Sequence, residues 1–241
     1  MKPYELIAFQ NSAALAQTAA TAWLEEVEKA ERAGKPHCVA LSGGRITQEF
    51  FLSVVKLARL RGARLSGVHF FWTDERCVPP TDSQSNYRLA HELLFDPLSI
   101  PARQIHRVRG EDSPMTAAAS ATTDLCSFAT KDAFDRPVLD MIFLGLGEDG
   151  HVASLFPGEP ESLADSRAAF RPILNSPKPP PNRITLGYST ISAARKVWML
   201  ASGKAKETPL RASLSSDGTT PFARILQTRS DTRIFTDVLA W

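Results

Sequence analysis

The sequence predicts an α/β fold, a Rossmann-like open and mostly parallel sheet with helices on both faces, built as one domain over residues 1–241. Apolar runs of strand length recur between segments of helical period, the order expected of strand–helix–strand units. Glycine-bearing turns follow several of those runs, and 241 residues are enough to bury a large core.

The first strand is expected in "YELIAF". Behind it Ala19, Trp23, Val27 and Ala30 recur at helical spacing, Glu28 and Arg32 are set for an i, i+4 ion pair, and Gly34 supplies the stop. The unit repeats as "CVALS", the turn "SGG" and the helix "ITQEFFLSVVKLARL", then as the strand "VHFFWTD" and the helix "SNYRLAHELLF". Further on come "QIHRV", a helical stretch around 116–130, the strongly apolar "LDMIFLGLG", "RITLGYSTI", "VWMLAS", a helix near "KAKETPLRASL", "PFARILQ" and a final strand in "TRIFTDV". The proline-rich "NSPKPPPNR" reads as a stiff surface loop rather than a linker, and no repeat of solenoid period is present.

Composition narrows the function. With 43% hydrophobic and 22% charged residues and a formal net charge of +2, the chain has no general attraction for nucleic acid or membrane. Any anion must be held by a local site. Cys38, Cys77 and Cys126 show neither a CxxC pair nor metal-ligand spacing, and read as reduced thiols. No run of about 18 apolar residues exists to span a bilayer, and "MKPYELIAFQ" lacks the apolar core of a signal peptide, so a soluble cytoplasmic chain is expected. No helix shows a sustained heptad, which leaves the oligomeric state open.

In a parallel α/β sheet a ligand sits outside the carboxyl ends of the strands. Three strand ends carry unusual residues. After "CVAL" come Ser42, Gly43, Gly44, Arg45, Ile46 and Thr47, where free N–H groups at a helix start can hold a phosphate and a hydroxyl can add a bond. A glycine pair in this place also serves as a tight turn with no ligand. After "VHFFWT" come Asp74, Glu75 and Arg76, either an acid and a guanidinium presented to a polar ligand or a solvated pair at a loop start. After "MIFL" comes "GLGEDGHVASLFPG", whose glycines permit a tight turn that leaves Asp149 and His151 at the mouth of the sheet. Histidine there suits general base work, and a carboxylate beside it can set its tautomer. The plainer alternative is a turn whose histidine bonds locally.

The other histidines, His37, His69, His91 and His106, lie in helix flanks or strands, where structural roles are expected. Arg183, Arg195, Lys196 and Lys204 are the later basic features, and Lys204 stands where it can neutralise a phosphate. "GLGEDG" matches GxGxxG, but no long amphipathic helix follows, which argues against a dinucleotide. No HExxH, acidic calcium loop or GxSxG elbow is present.

Taken in order, "LSGG", "FFWTDERCVPPTDSQSNY", "GLGEDGHVASLFPG", "RITLGYSTI" and "GKAKE" resemble the 6-phosphogluconolactonase family, whose relatives include the glucosamine-6-phosphate deaminases. The resemblance runs over nearly the whole chain. It implies hydrolysis of a small phosphorylated sugar lactone, 6-phosphoglucono-1,5-lactone, to 6-phosphogluconate in the pentose phosphate pathway, with no metal or cofactor. It also implies that His151 is the general base, that Arg76 and Lys204 lie near the phosphate with the "SGG" loop, and that Arg183 is a further anion contact. Orientation of His151 by Asp149 and contact of Asp74 with sugar hydroxyls are expected alongside. Deaminases of this kind continue after the histidine as "AFNEPG", and the position of their glutamate is filled here by Phe156, which favours the lactonase over a deaminase or isomerase. A non-catalytic sugar-phosphate binder is disfavoured by the intact Asp149 and His151. One departure stands out: Arg45 occupies the place of a small hydroxyl residue after "SGG", to add a guanidinium to the phosphate or to point to solvent while Thr47 serves.

Overall fold

The computed structural model describes residues 4–160, 163 and 166–238. Six parallel strands form the main sheet: β1 (Glu5–Ala8), β2 (His37–Leu41), β3 (Val68–Trp72), β7 (Met141–Gly145), β10 (Lys196–Ala201) and β11 (Thr232–Thr236). Their spatial order is β1-β11-β10-β7-β2-β3. The strand expected in "VHFFWTD" breaks at Thr73, whose N–H still bonds Leu41 while its carbonyl accepts from Leu186. From there β4 (Asp74–Arg76) leaves the main sheet and pairs antiparallel with β9 (Arg183–Leu186), which pairs in turn with β8 (Phe170–Ile173). "RITLGYSTI" therefore belongs to this second sheet and to the short helix Tyr188–Ala193, and a two-stranded hairpin joins β5 (Thr130–Lys131) to β6 (Pro137–Val138). "QIHRV" contributes a single parallel bridge, Ile105 to Phe70.

Helices α1 (Ser12–Arg32) and α2 (Arg45–Arg61) cover one face. Asn11 caps α1 by accepting from the Ala14 N–H at 2.9 Å, and Gly34 and Gly62 take the left-handed backbone past the helix ends. Trp23 of α1 is fully buried and touches Phe50 of α2, Phe70 of β3 and Phe143 of β7, with ring centroids 5.9–6.3 Å apart. The aromatic row continues from Phe143 to Trp198 and on to Phe235, so one contiguous apolar layer locks the strands to these helices. Glu28 does not serve the expected pair with Arg32. It turns to Arg61 at 3.5 Å, tying α1 to α2, because the two helices lie against each other and offer a partner across the seam.

Side chains alternate along a strand, so Phe71 points to the opposite face from Phe70. There it stacks on His106 at 4.4 Å, and His106 packs against Phe128 at the end of the helix Pro114–Phe128. Helices thus flank both faces, as the sequence predicts. Among the described residues no helix is long and apolar enough to cross a membrane. The three cysteines are unpaired, and burial pushes the Cys38 and Cys77 thiols up to about 12 and about 11. Trp23→Ala should lower the unfolding free energy by about 3–5 kcal/mol, the usual cost of emptying an aromatic core position. A urea midpoint unchanged from wild type would contradict the central place given to this ring.

Candidate active site

Four neighbouring strands, β10, β7, β2 and β3, end on the same side, and their carboxyl-end loops enclose a cavity of about 400 Å³. Each wall is a stretch singled out in the sequence: Ser42–Ile46 after β2, Asp74 and Arg76 on β4, Gly145–Glu148 and His151 after β7, and Ser202 and Lys206 after β10. Asn86, Ala153, Lys178, Arg183 and Leu200 complete the lining. Five cationic side chains, Arg45, Arg76, Lys178, Arg183 and Lys206, face two carboxylates, Asp74 and Glu148, so the cavity is locally basic in a nearly neutral chain.

The first wall is held by small residues. Ser42 donates to the Phe143 carbonyl at 2.7 Å and shares a 2.7 Å hydroxyl contact with Thr73, so its side chain braces β2 against β7 and β3. A Cβ on Gly43 would collide with the Asn86 carboxamide, and Gly44, at φ 109°, adopts backbone that a side chain disfavours. Among the described residues no side chain caps the first turn of α2, which leaves its N–H groups directed at the cavity end of the helix. Thr47 is buried outside the lining and donates to the Gly43 carbonyl at 3.0 Å, a loop-bracing role. Arg45 is 88% exposed and meets Glu148 only at 3.8 Å.

The β4 wall divides its three charges among three tasks. Asp74, 5% exposed, accepts from Ser154 at 2.7 Å and from Asn86 at 3.3 Å and still borders the cavity. Glu75 turns inward and accepts from the N–H groups of Arg76, Asn86 and Tyr87 and from the Ser85 hydroxyl, stapling the loop 77–87. Burial, with Asp74 adding to it, pushes its carboxyl up to about 7 against the backbone N–H bonds. Arg76 donates to the Gln84 carbonyl at 2.6 Å, and its buried Nε has no partner among the described residues.

The β7 turn presents the dyad. Gly147 donates to the His151 carbonyl at 2.8 Å and accepts from Gly150, whose φ of 86° lets the chain reverse. His151 Nδ1 lies 2.5 Å from Asp149 Oδ1. Burial would raise the Asp149 carboxyl, but the bond and charge of His151 and the bond from Lys178 outweigh it and hold Asp149 at about 2. An ionised carboxylate only accepts, so Nδ1 carries the proton and Nε2 keeps its lone pair. Burial, helped by Lys178, lowers the proton affinity of His151 below its ordinary 6.5 despite Asp149 and Asp74, and the imidazole is neutral at pH 7. Phe156 packs on the ring with centroids 4.9 Å apart. Directly after the turn the chain forms a Val152–Leu155 bridge.

Two basic residues stand differently from their sequence-level roles. Lys204 is exposed and outside the lining. Lys206, the last residue of the three-residue turn Lys204–Lys206, is the lysine on the wall, with its side chain 19% exposed. Burial lowers its proton affinity. "GKAKE" holds both lysines, and their choice depends on the turn geometry, which the spacing alone does not give. Arg183, 3% exposed, spends donors on the Lys178, Pro179 and Pro180 carbonyls while bordering the cavity. Ser154, Glu148, Lys178 and Asn86 escaped the sequence reading, Ser154 because "ASLF" looks like plain packing. Among the described residues no group of three or more His, Cys, Asp or Glu is placed to hold a metal ion.

The family model for glucosamine-6-phosphate isomerases/6-phosphogluconolactonase matches residues 10–235. A 6-phosphogluconolactonase of Treponema pallidum is 37% identical over 74% of this chain and 72% of its own length. One from Mycobacterium leprae is 32% identical over 86% and 84%. The solved 6-phosphogluconolactonase of Trypanosoma brucei superposes with a TM-score of 0.86 at 27% identity, covering 98% of this chain and 97% of that one. A monomeric glucosamine-6-phosphate deaminase shares the fold, with a TM-score of 0.80 at 18% identity.

Gly147→Ala should drive the new methyl into His151 Nδ1 and Asp149 Oδ1, at an overpacking cost of about 1–3 kcal/mol. The check is the Nδ1 proton of His151 in NMR spectra, expected to lose its protection; an unchanged resonance would show that the turn has room to spare. By its family match, its curated relatives and its fold, the chain belongs to the glucosamine-6-phosphate isomerase/6-phosphogluconolactonase family.

Proposed function

We propose that the chain hydrolyses 6-phosphoglucono-1,5-lactone to 6-phosphogluconate, with His151 as general base. The observation that carries this reading is the Asp149–His151 pair at the rim of a cavity walled by five cations. The relatives from Treponema pallidum and Mycobacterium leprae are 6-phosphogluconolactonases, which supports the substrate.

A lactone is an activated ester, so its hydrolysis needs a positioned water, a base and a stabiliser for the developing oxyanion. His151 Nε2 takes a proton from water as the water oxygen bonds the lactone carbonyl carbon. Collapse of the tetrahedral intermediate breaks the bond to the ring oxygen, and the imidazolium returns the proton to that oxygen. Asp149 stabilises the imidazolium while it lasts. Such a base contributes about a hundred to ten-thousandfold. The phosphate is assigned to the wall made by Ser42–Gly44, the open first turn of α2 and Lys206, where N–H groups and an ammonium favour a dianion. Arg76 and Arg183 add positive charge from β4 and β9, and Asp74 is left to meet sugar hydroxyls.

Phe156 separates this chemistry from the deaminase reaction. It is 8% exposed and lies on the His151 ring, so an apolar face stands where ring opening would call for a carboxylate.

Wild-type protein supplied with freshly generated lactone should release acid far above the spontaneous rate and should release no ammonia from glucosamine 6-phosphate; the opposite pattern sinks the assignment. His151→Ala should lose roughly a hundredfold or more in kcat, with kcat near wild type as the contrary result. Because the base must be unprotonated, kcat/KM should fall on the acid side with an inflection below 6.5 and be level from pH 7 upward. An inflection above 7 would contradict the environment described for His151. The mechanism employs no metal, so chelator-treated enzyme should keep its full rate, and a rate restored only by added divalent ions would refute that part.

A further inference from the structure

The proline-rich stretch Asn175–Arg183 has structural work beyond a surface loop. Its ends are joined by the Ser176 N–H donating to the Pro181 carbonyl at 2.7 Å, and the Lys178 N–H donates to the Ser176 hydroxyl at 3.3 Å. Prolines at 177, 179, 180 and 181 restrict the backbone between. Arg183 then pins the stretch from below: Nε donates to Pro180 at 3.2 Å and one Nη to Lys178 and Pro179 at 3.1 and 2.9 Å. Its other Nη reaches Ser154 at 3.4 Å, and Ser154 donates to Asp74. The strap is thereby anchored to two walls of the cavity.

Lys178 hangs from this strap. Its ammonium lies 3.1 Å from Asp149 Oδ1, the same oxygen that receives the His151 Nδ1 proton. We propose that Lys178 is a positioning residue, carried on a strap pinned by Arg183, that shares one Asp149 oxygen with His151 and thereby keeps the imidazole neutral with Nδ1 protonated. The charge of the ammonium disfavours a second cation on the same carboxylate, and its hydrogen bond fixes the carboxylate plane. The other charged groups about the dyad come from every wall: Glu148 from its own turn, Asp74 and Arg76 from β4, Arg183 from β9, Lys206 after β10 and Arg45 on α2. Among the described residues none of these side chains bonds Asp149, whereas Lys178 does.

This inference deepens the assignment of His151 as base, but its test does not need turnover. The titration of the His151 ring protons can be followed by NMR in the resting protein. Lys178→Gln should move the midpoint upward by about half a pH unit, the scale of one partly solvated charge. Lys178→Arg should keep it near wild type. Arg183→Lys, which loses the planar fork that grips three carbonyls, should reproduce part of the upward move. A midpoint unchanged in Lys178→Gln overturns the proposal, as does a raised KM for the lactone with the acid limb of kcat/KM unmoved, which would mark a substrate contact only. If the wild type fails to hydrolyse the lactone while the NMR midpoint still moves, the function reading falls and the positioning role stands.

Discussion

The 2.5 Å contact between His151 Nδ1 and Asp149 Oδ1 is the interaction on which the site depends. Two residues apart on one turn, these side chains meet only because Gly147 has no Cβ in the space they fill and because Gly150 turns the chain back with a positive φ. The contact fixes the tautomer, and the tautomer leaves Nε2 with the lone pair that the proposed base role requires. Burial by Phe156 and the cavity walls then makes the neutral imidazole the resting form.

The sheet supplies what the turn cannot. Parallel pairing of β10, β7, β2 and β3 brings four carboxyl ends together, so residues 42, 74, 151 and 206 become neighbours across 165 positions of sequence. The cations gathered there are embedded in a chain whose formal net charge is only +2, and the field is therefore local. Buried carboxylates serve the scaffold in turn: Glu75 holds the loop 77–87 and Asp74 ties β4 to Ser154 and Asn86.

Much of this was legible in the sequence, and the remainder fails for identifiable reasons. Strand and helix order followed from the apolar period, since burial on both faces leaves a strong mark on strands such as "MIFL". The break at Thr73 left none, because β3 and β4 are contiguous and only the pairing partner changes. At the candidate site, glycines and charges at strand ends pointed to His151, Asp149, Asp74 and the "SGG" loop, which the structure gathers at one end of the sheet. Lys206 was not distinguishable from Lys204, as both sit in "GKAKE" and a single turn of 3₁₀ helix decides between them. Ser154 and Glu75 show the opposite difficulty: one looks like packing and lies against Asp74, the other looks like a ligand group and is structural. Arg45, which replaces a small hydroxyl in the resemblance, stands largely in solvent at the cavity edge.

The most direct measurement is a crystal structure of the protein with bound 6-phosphogluconate. The account predicts the C1 carboxylate within hydrogen-bonding reach of His151 Nε2 and the phosphate against Ser42–Gly44 and Lys206. A product molecule with its phosphate at His151, or lodged outside this cavity, would contradict it.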